Sequence, residues 1–254
     1  MAGVFPIKIK IRILSNRLSR HELGRLARIA AHYFPDDFDV ETMLLQHLDR
    51  DSSVQVAEQN DEIIGISITS CRRSKTPFYK NYIPLFYQRI LYVDPDARGR
   101  AVGLRLQVAG LRYQLGAFWM FRRFAVICLT NSPEILRAFN QYSEYYPRQD
   151  HPVPGTVYEF CRQLGSIMDF ERIDRHLLVY GTNESNLAGV DYTMKWERFL
   201  KSGHASYDQM ILNGVFVTKD GKILHAGVLQ LVVGYAGPMH FVLHFLKAKF
   251  KYHI

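Results

Sequence analysis

The chain has 254 residues, 48% of them hydrophobic and 13% aromatic, enough for one large domain or two small ones with a sizeable core. Charged residues at 22% exclude a disordered chain, and the net charge of +8 favours anionic partners: a nucleotide cofactor, nucleic acid or an acidic membrane surface. Cys71, Cys128 and Cys161 are far apart and form no Cys-x-x-Cys pair, which argues against a disulfide framework or a zinc-thiolate site and fits a reducing cytoplasm.

The first residues, MAGVFPIKIKIRILSNRLSR, lack the continuous apolar core of a signal peptide. Within them 6–14 alternates with period two, as a half-buried strand does. Ser19 and Glu22 have capping-box spacing, so a helix starts at about residue 20, with Leu23, Leu26, Ala27, Ile29, Ala30 and Phe34 on its apolar face. Residues 39–50 read as a second helix. Residues 53–71 read as two strands around a polar turn at Gln59–Glu62. The aromatic, basic segment 72–88 shows no clear period and reads as a loop, one that covers a site.

A strand at 89–93 then runs into YVDPDARGRAVGLRLQ, residues 92–107. Leu104, Val108, Leu111 and Leu115 fall on one face of the helix that follows. If that helix begins near 98–101, its first N–H groups have no intrahelical partner and point at the loop from the positive end of the dipole. Gly99 and Gly103 leave room for a ligand, and Arg98 and Arg100 supply charge complementarity. The corner is therefore an anion site of the kind that holds a phosphate or pyrophosphate.

Next come a buried strand, FAVICLT at 124–130, and a helix in NSPEILRAFNQYS, with Ser132 as cap, Pro133 at its first position and Glu134 at its positive end. Strands and helices up to this point interleave as in a mixed α/β layer architecture. A Pro-rich connector, YYPRQDHPVPGT, leads to a helix at 157–168, a short strand in HLLVYG and a hairpin around Lys219-Asp220-Gly221. Between Lys222 and Lys247 no residue carries a formal charge. Its length suffices for a bilayer, but three histidines, a glutamine and the turn-like GYAGP favour a strand, a turn and a helix. His240 and His244 stand four apart without a clear third ligand, so no metal site is expected.

The pattern resembles the GNAT acyltransferase superfamily, whose phosphate loop reads Gln/Arg-x-x-Gly-x-Gly/Ala after a strand ending Val-x-Pro. Here Val93-Asp94-Pro95 precedes Arg98-Gly99-Arg100-Ala101-Val102-Gly103, with Ala101 at the first glycine position, a departure that is tolerable if residue 101 is already helical. The order of elements over about 6–146 resembles that family too. The resemblance implies a mostly antiparallel sheet flanked by helices, in which the parallel strands 89–93 and 124–130 splay apart to admit acetyl-CoA or another acyl-CoA. It divides the chain into a core at 1–150 and an extension at 151–254 that continues the same body.

The same resemblance implies site residues. Pantetheine would pair with the backbone of Leu91, Tyr92 and Val93. The pyrophosphate would sit on the amides of Arg98, Gly99, Arg100, Ala101, Val102 and Gly103, and Asn131 and Ser132 would lie near the pantetheine arm. An amine of a small molecule or peptide would attack the thioester directly, with a backbone N–H near Tyr92 or Val93 stabilising the oxyanion. Glu58 and Asp94 are the candidate bases. The position best matching the family's tyrosine acid is Phe139, so Tyr142, one turn later, is the candidate acid. Nucleic acid is not the expected partner. The readings set against this enzyme are a non-catalytic acyl-CoA-binding or regulatory module, and a membrane-associated acyltransferase using the basic tail LKAKFKYHI. Oligomers and a cytoplasmic location are compatible with the sequence.

Overall fold

A computed structural model describes residues 9–14, 16–34, 38–97, 100–148, 151–168, 170–182, 188–193 and 205–240, with the side chains of 205–207 excepted. The class is mixed α/β, with a mostly antiparallel sheet flanked by helices. The chain forms two compact units, residues 1–72 with 86–119, and residues 73–85 with 120–254.

In the first unit β1 (Lys10–Leu14) pairs antiparallel with β2 (Ser52–Gln59), and β2 with β3 (Glu62–Thr76). The turn between β2 and β3 is Asn60-Asp61. Both have positive φ, 51° and 63°, as a two-residue hairpin requires. Helix α1 (Arg20–Ala31) opens on the expected box: Glu22 N–H donates to Ser19 Oγ at 3.2 Å, and Ser19 N–H donates to Glu22 Oε2 at 2.8 Å. Helix α2 (Val40–Gln46) is capped by Asp39, whose Oδ1 accepts from Thr42 N–H at 3.0 Å. Leu26 and Leu44 of these helices close a core over Val54, Ile66 and Ile68. Burial of these apolar faces is the main stabilising term.

Helix α3 (Val102–Leu115) lies on the other face, with Leu106 and Val102 buried against Ala57 and Ala97. Two glycines let it approach the sheet. A Cβ on Gly65 of β3 would come within 3.0 Å of Val102 and 3.1 Å of Leu106. A Cβ on Gly110 of α3 would come within 3.2 Å of Gln55 and Thr69. Under Gly110 lies a buried polar patch. Gln55 Nε2 donates to Ser53 Oγ (2.7 Å) and Thr69 Oγ1 (3.1 Å), and Gln114 Nε2 of α3 donates to Ser53 Oγ (3.0 Å). These bonds satisfy groups whose burial would otherwise be costly.

The loop expected at 72–88 is instead strand. β3 runs to Thr76, and β4 spans Tyr79–Val93, each of 15 residues. Leu85, Phe86, Tyr87 and Gln88 are all buried, so both faces of that stretch are covered and the period-two alternation is erased. Its aromatic content suits a strand well.

In the second unit β5 (Phe124–Thr130) pairs antiparallel with β11 (Leu229–Ala236), from Phe124 opposite Ala236 to Thr130 opposite Gln230. β11 also takes β6 (Glu144–Tyr146) and β8 (Leu178–Tyr180), and β7 (Arg172–Ile173) lies beyond β8. Strands β7, β8 and β11 of this sheet come from residues after 150. The hairpin β9 (Phe216–Lys219) and β10 (Lys222–His225) turns at Asp220-Gly221, both at positive φ. The helices here are α4 (Pro133–Phe139), α5 (Gly155–Gln163), α6 (Gly165–Met168) and α7 (Ala205–Leu212). The uncharged run contributes β10 and β11. The helix expected after it, with His244 and the basic tail, lies outside the described residues. No helix of the described residues is long and apolar enough to cross a membrane.

Candidate functional site

The corner is built by the end of β4, a tight turn and the first turn of α3. Asp94 N–H donates to Ile64 O of β3 at 2.9 Å, the last tie to that neighbour before the chain turns. The Asp94 carboxylate accepts from Asp96 N–H at 2.8 Å, and Ala97 N–H donates to Asp94 O at 2.9 Å, closing a 3-10 turn over Pro95–Ala97. Asp94 therefore shapes the turn, a common task for an aspartate at this position. Arg98 and Gly99 lie outside the described residues. Arg100 is exposed, and its Nη1 donates to Gln59 Oε1 at 3.0 Å, fastening the loop to the β2–β3 hairpin.

Ala101 corrects an expectation. It is the N-cap of α3 and not yet helical, with φ 56° and ψ 24° in the left-handed region. Glycine adopts this region freely, and alanine pays for its Cβ. The motif's glycine therefore has a conformational reason here, and alanine occupies the position under strain. Replacing Ala101 by glycine is expected to raise stability by about 0.5–1 kcal/mol in chemical denaturation. An unchanged or lower midpoint would show the backbone to be relaxed.

Ala101 gives α3 no side-chain cap, and the first turn carries no acidic residue. The positive end of the helix dipole is thus left uncompensated by a carboxylate of its own first turn. Val102 is buried and packs, so only its backbone can serve a ligand. A Cβ added at Gly103 would meet Leu91 at 3.7 Å and Val93 at 3.8 Å, ordinary contacts. Internal packing does not demand glycine at 103, in contrast to Gly65 and Gly110. Leu91, Tyr92 and Val93 are half-buried on the last turn-ward stretch of β4.

Tyr33, which sequence reasoning missed, stands at this end of β4. Its hydroxyl accepts from Val93 N–H at 3.3 Å and donates to Val93 O. Its ring packs on Tyr92 with centroids 4.7 Å apart, and Phe34 meets Tyr92 edge-on at 5.8 Å. The only signal in the sequence was the aromatic pair Tyr33-Phe34 at the end of the α1 pattern, and it does not say which backbone the hydroxyl meets.

Glu58 is on β2 at a register shift between Ala57 and Glu58. It is buried and paired with Arg12 of β1 at 2.8 Å. Its neighbour Gln59 holds Arg100, which places the carboxylate one residue from the corner's tether.

The remaining candidates belong to the second unit. Asn131 Nδ2 lies 3.5 Å from Tyr192 Oη. Ser132 is the N-cap of α4 but makes no side-chain cap bond. Thr130 Oγ1 accepts the Ser132 N–H instead, at 2.9 Å, which corrects the expected capping role. Phe139 is buried, and its ring packs on that of Tyr142 at 5.0 Å. Both rings press on β11, where a Cβ at Gly234 would come within 2.9 Å of Phe139 and 3.0 Å of Tyr142. Burial pushes the Tyr142 phenol well above its usual pKa, and the Cys128 thiol adds to the shift, so the phenol keeps its proton at neutral pH. His240 contacts the Gln141 carbonyl. Among the described residues no group of three or more His, Cys, Asp or Glu is placed to hold a metal.

No family model matches the chain, and no curated protein matches it. Solved structures do. An aminoglycoside N-acetyltransferase in complex with CoA is 15% identical, covering 68% of this chain and 94% of its own, with a TM-score of 0.40. A ribosomal-protein-alanine N-acetyltransferase from Brucella melitensis biovar Abortus 2308 is 14% identical, covering 58% of this chain and 99% of its own, with a TM-score of 0.40. A protein described as histone acetyltransferase HPA2 and related acetyltransferase, from Corynebacterium glutamicum ATCC 13032, is 16% identical over 57% of this chain and 92% of its own, with a TM-score of 0.37.

Proposed function

We propose that the chain is an acyl-CoA-dependent N-acyltransferase of the GNAT kind, with acetyl-CoA as the simplest donor and an amine of a small molecule or peptide as acceptor. The observation that carries this reading is the corner after β4. An α3 N-terminus without a side-chain cap or first-turn acid follows a left-handed Ala101, in a segment that resembles the family's phosphate loop except for alanine at its first glycine position. Such an end stabilises a phosphate through its backbone N–H groups and its dipole. In this reading the amides of 98–103 hold the pyrophosphate, with Arg98 and Arg100 adding charge.

The backbone of Leu91–Val93 serves the pantetheine arm, with Asn131 and Ser132 near it, and Val93 N–H serves the developing oxyanion. Bringing donor and acceptor together supplies much of the acceleration, and transfer is direct in a ternary complex. An alkylammonium must lose a proton before it attacks, through Glu58 or Asp94 and intervening water. In this reading Tyr142 gives a proton to the leaving thiolate, although burial makes its phenol a weaker acid than usual.

Phe139 supports a second reading. A buried phenylalanine stands where the family's acid is expected, which suits a module that binds acyl-CoA without turning it over. One experiment separates the two. Calorimetry with acetyl-CoA followed by thiol release against an amine panel should show binding and acceptor-dependent release. Binding without release for any amine favours the module, and no binding at millimolar acetyl-CoA overturns both.

A further inference from the structure

Residues along a strand direct their backbone groups alternately to its two edges, and the N–H and C=O of one residue share an edge. Asp94 N–H donates to Ile64 O, so the Asp94 groups face β3. The Val93 N–H and C=O therefore face the edge away from β3. Both are engaged there by one atom, the Tyr33 hydroxyl, which accepts from the N–H at 3.3 Å and donates to the carbonyl. A hydroxyl has one hydrogen and two lone pairs, so it can do both. An extended acyl-CoA arm offers the same edge the same kinds of partner, a thioester or amide carbonyl for the N–H and an amide N–H for the carbonyl.

We propose that Tyr33 is a built-in, removable occupant of the β4 edge, which the amide-bearing arm of the ligand must displace to bind. The proposal rests on the acyl-CoA reading above. The hydroxyl satisfies two backbone groups while the edge is empty of ligand. The ring stays packed, tilted, against Tyr92, and Tyr92 in turn meets Phe34, which stacks on Phe38 at 4.3 Å, so the occupant is held close to the groups it covers. Ligand affinity is then set by an exchange of hydrogen bonds at Val93 and not by a gain of new ones.

Tyr33→Phe removes the hydroxyl and keeps the ring. In the ligand-free protein, hydrogen exchange at the Val93 amide should accelerate severalfold, measured residue by residue by NMR. CoA should bind the variant about three- to tenfold more tightly, a net gain of about one ordinary hydrogen bond now that neither of the two at Val93 has to be broken. Tyr33→Leu, which also removes the ring, should shift affinity in the same direction. Equal or weaker CoA binding by Tyr33→Phe, with the parent binding CoA, overturns the occupant role alone. Unchanged exchange at Val93 overturns it as well. Absence of CoA binding by parent and variant together overturns the acyl-CoA reading, and the occupant role with it.

Discussion

Gly103→Glu is expected to abolish CoA binding, by at least about a hundredfold, while leaving the protein folded and no less stable. The two halves of this result have separate causes. A Cβ at 103 meets Leu91 and Val93 at 3.7 and 3.8 Å, ordinary contacts, so a side chain can begin there without displacing its neighbours. Position 103 is the second residue of α3, a helix whose first turn has no acid of its own. A carboxylate there favours the helix by about 0.3–1 kcal/mol. The same carboxylate neutralises the end of the dipole that a phosphate would use and repels the phosphate directly. Gly103→Ala is the control and should bind CoA nearly as the parent does. Titration calorimetry on the three proteins, with thermal unfolding alongside, decides the matter. Full binding by the glutamate variant would mean that the corner holds no phosphate.

The second large effect is on stability against acid. His225 is 1% exposed, at the end of β10. Its Nδ1 accepts from Gly227 N–H at 2.9 Å, so the ring hydrogen sits on Nε2, which has no hydrogen-bond partner among the described residues. The rings of Tyr192 and Phe216 each lie 5.5 Å away. Burial pushes its pKa down from 6.5 to about 4. Between these values the unfolded chain takes up a proton that the folded chain refuses. Stability from this group is therefore complete above about pH 6.5, falls as the pH drops, and is lost by pH 4, about 3 kcal/mol in all.

Carboxylates with lowered pKa act in a lower window. Burial alone would raise Asp49, but the Ser52 hydroxyl and the Arg89 guanidinium outweigh it and hold the group below its usual 3.8. Its contribution is present above that value and lost as the pH falls further. Urea unfolding at half-unit steps from pH 7 to 4 should show the His225 slope, and His225→Phe should flatten it. A parent protein equally stable at pH 7 and 4.5 would show that the imidazole is not desolvated.

The parts of the fold that declare themselves locally were legible in the sequence. The Ser19 and Glu22 box, the Asn60-Asp61 and Asp220-Gly221 turns, and the strand–turn–helix passage of 92–107 each depend on a few adjacent residues. The continuation of β3 and β4 through 72–88 was not legible; around 85–88 burial of both faces removed the alternation that marks a strand. Ala101 was misjudged because its left-handed backbone belongs to the closure of the whole corner. Glu58 was recognisable as a carboxylate on a strand, but its pairing with Arg12 depends on the β1–β2 register. Tyr33 lies 60 residues from Val93 in the chain, and no local pattern links a hydroxyl to a backbone so distant.

Gly110 has a role at a distance. It lies eight residues along α3 from Val102, about 12 Å at the rise of an α-helix. At that point the helix backbone rests on Gln55 and Thr69 with no side chain between. The contact is a fulcrum. A methyl group inserted there would lift the middle of α3 and tilt its axis, so that the amides at the far end would aim elsewhere. The bearing of the corner is therefore set from beneath the helix, by a buried patch of serine, threonine and glutamine.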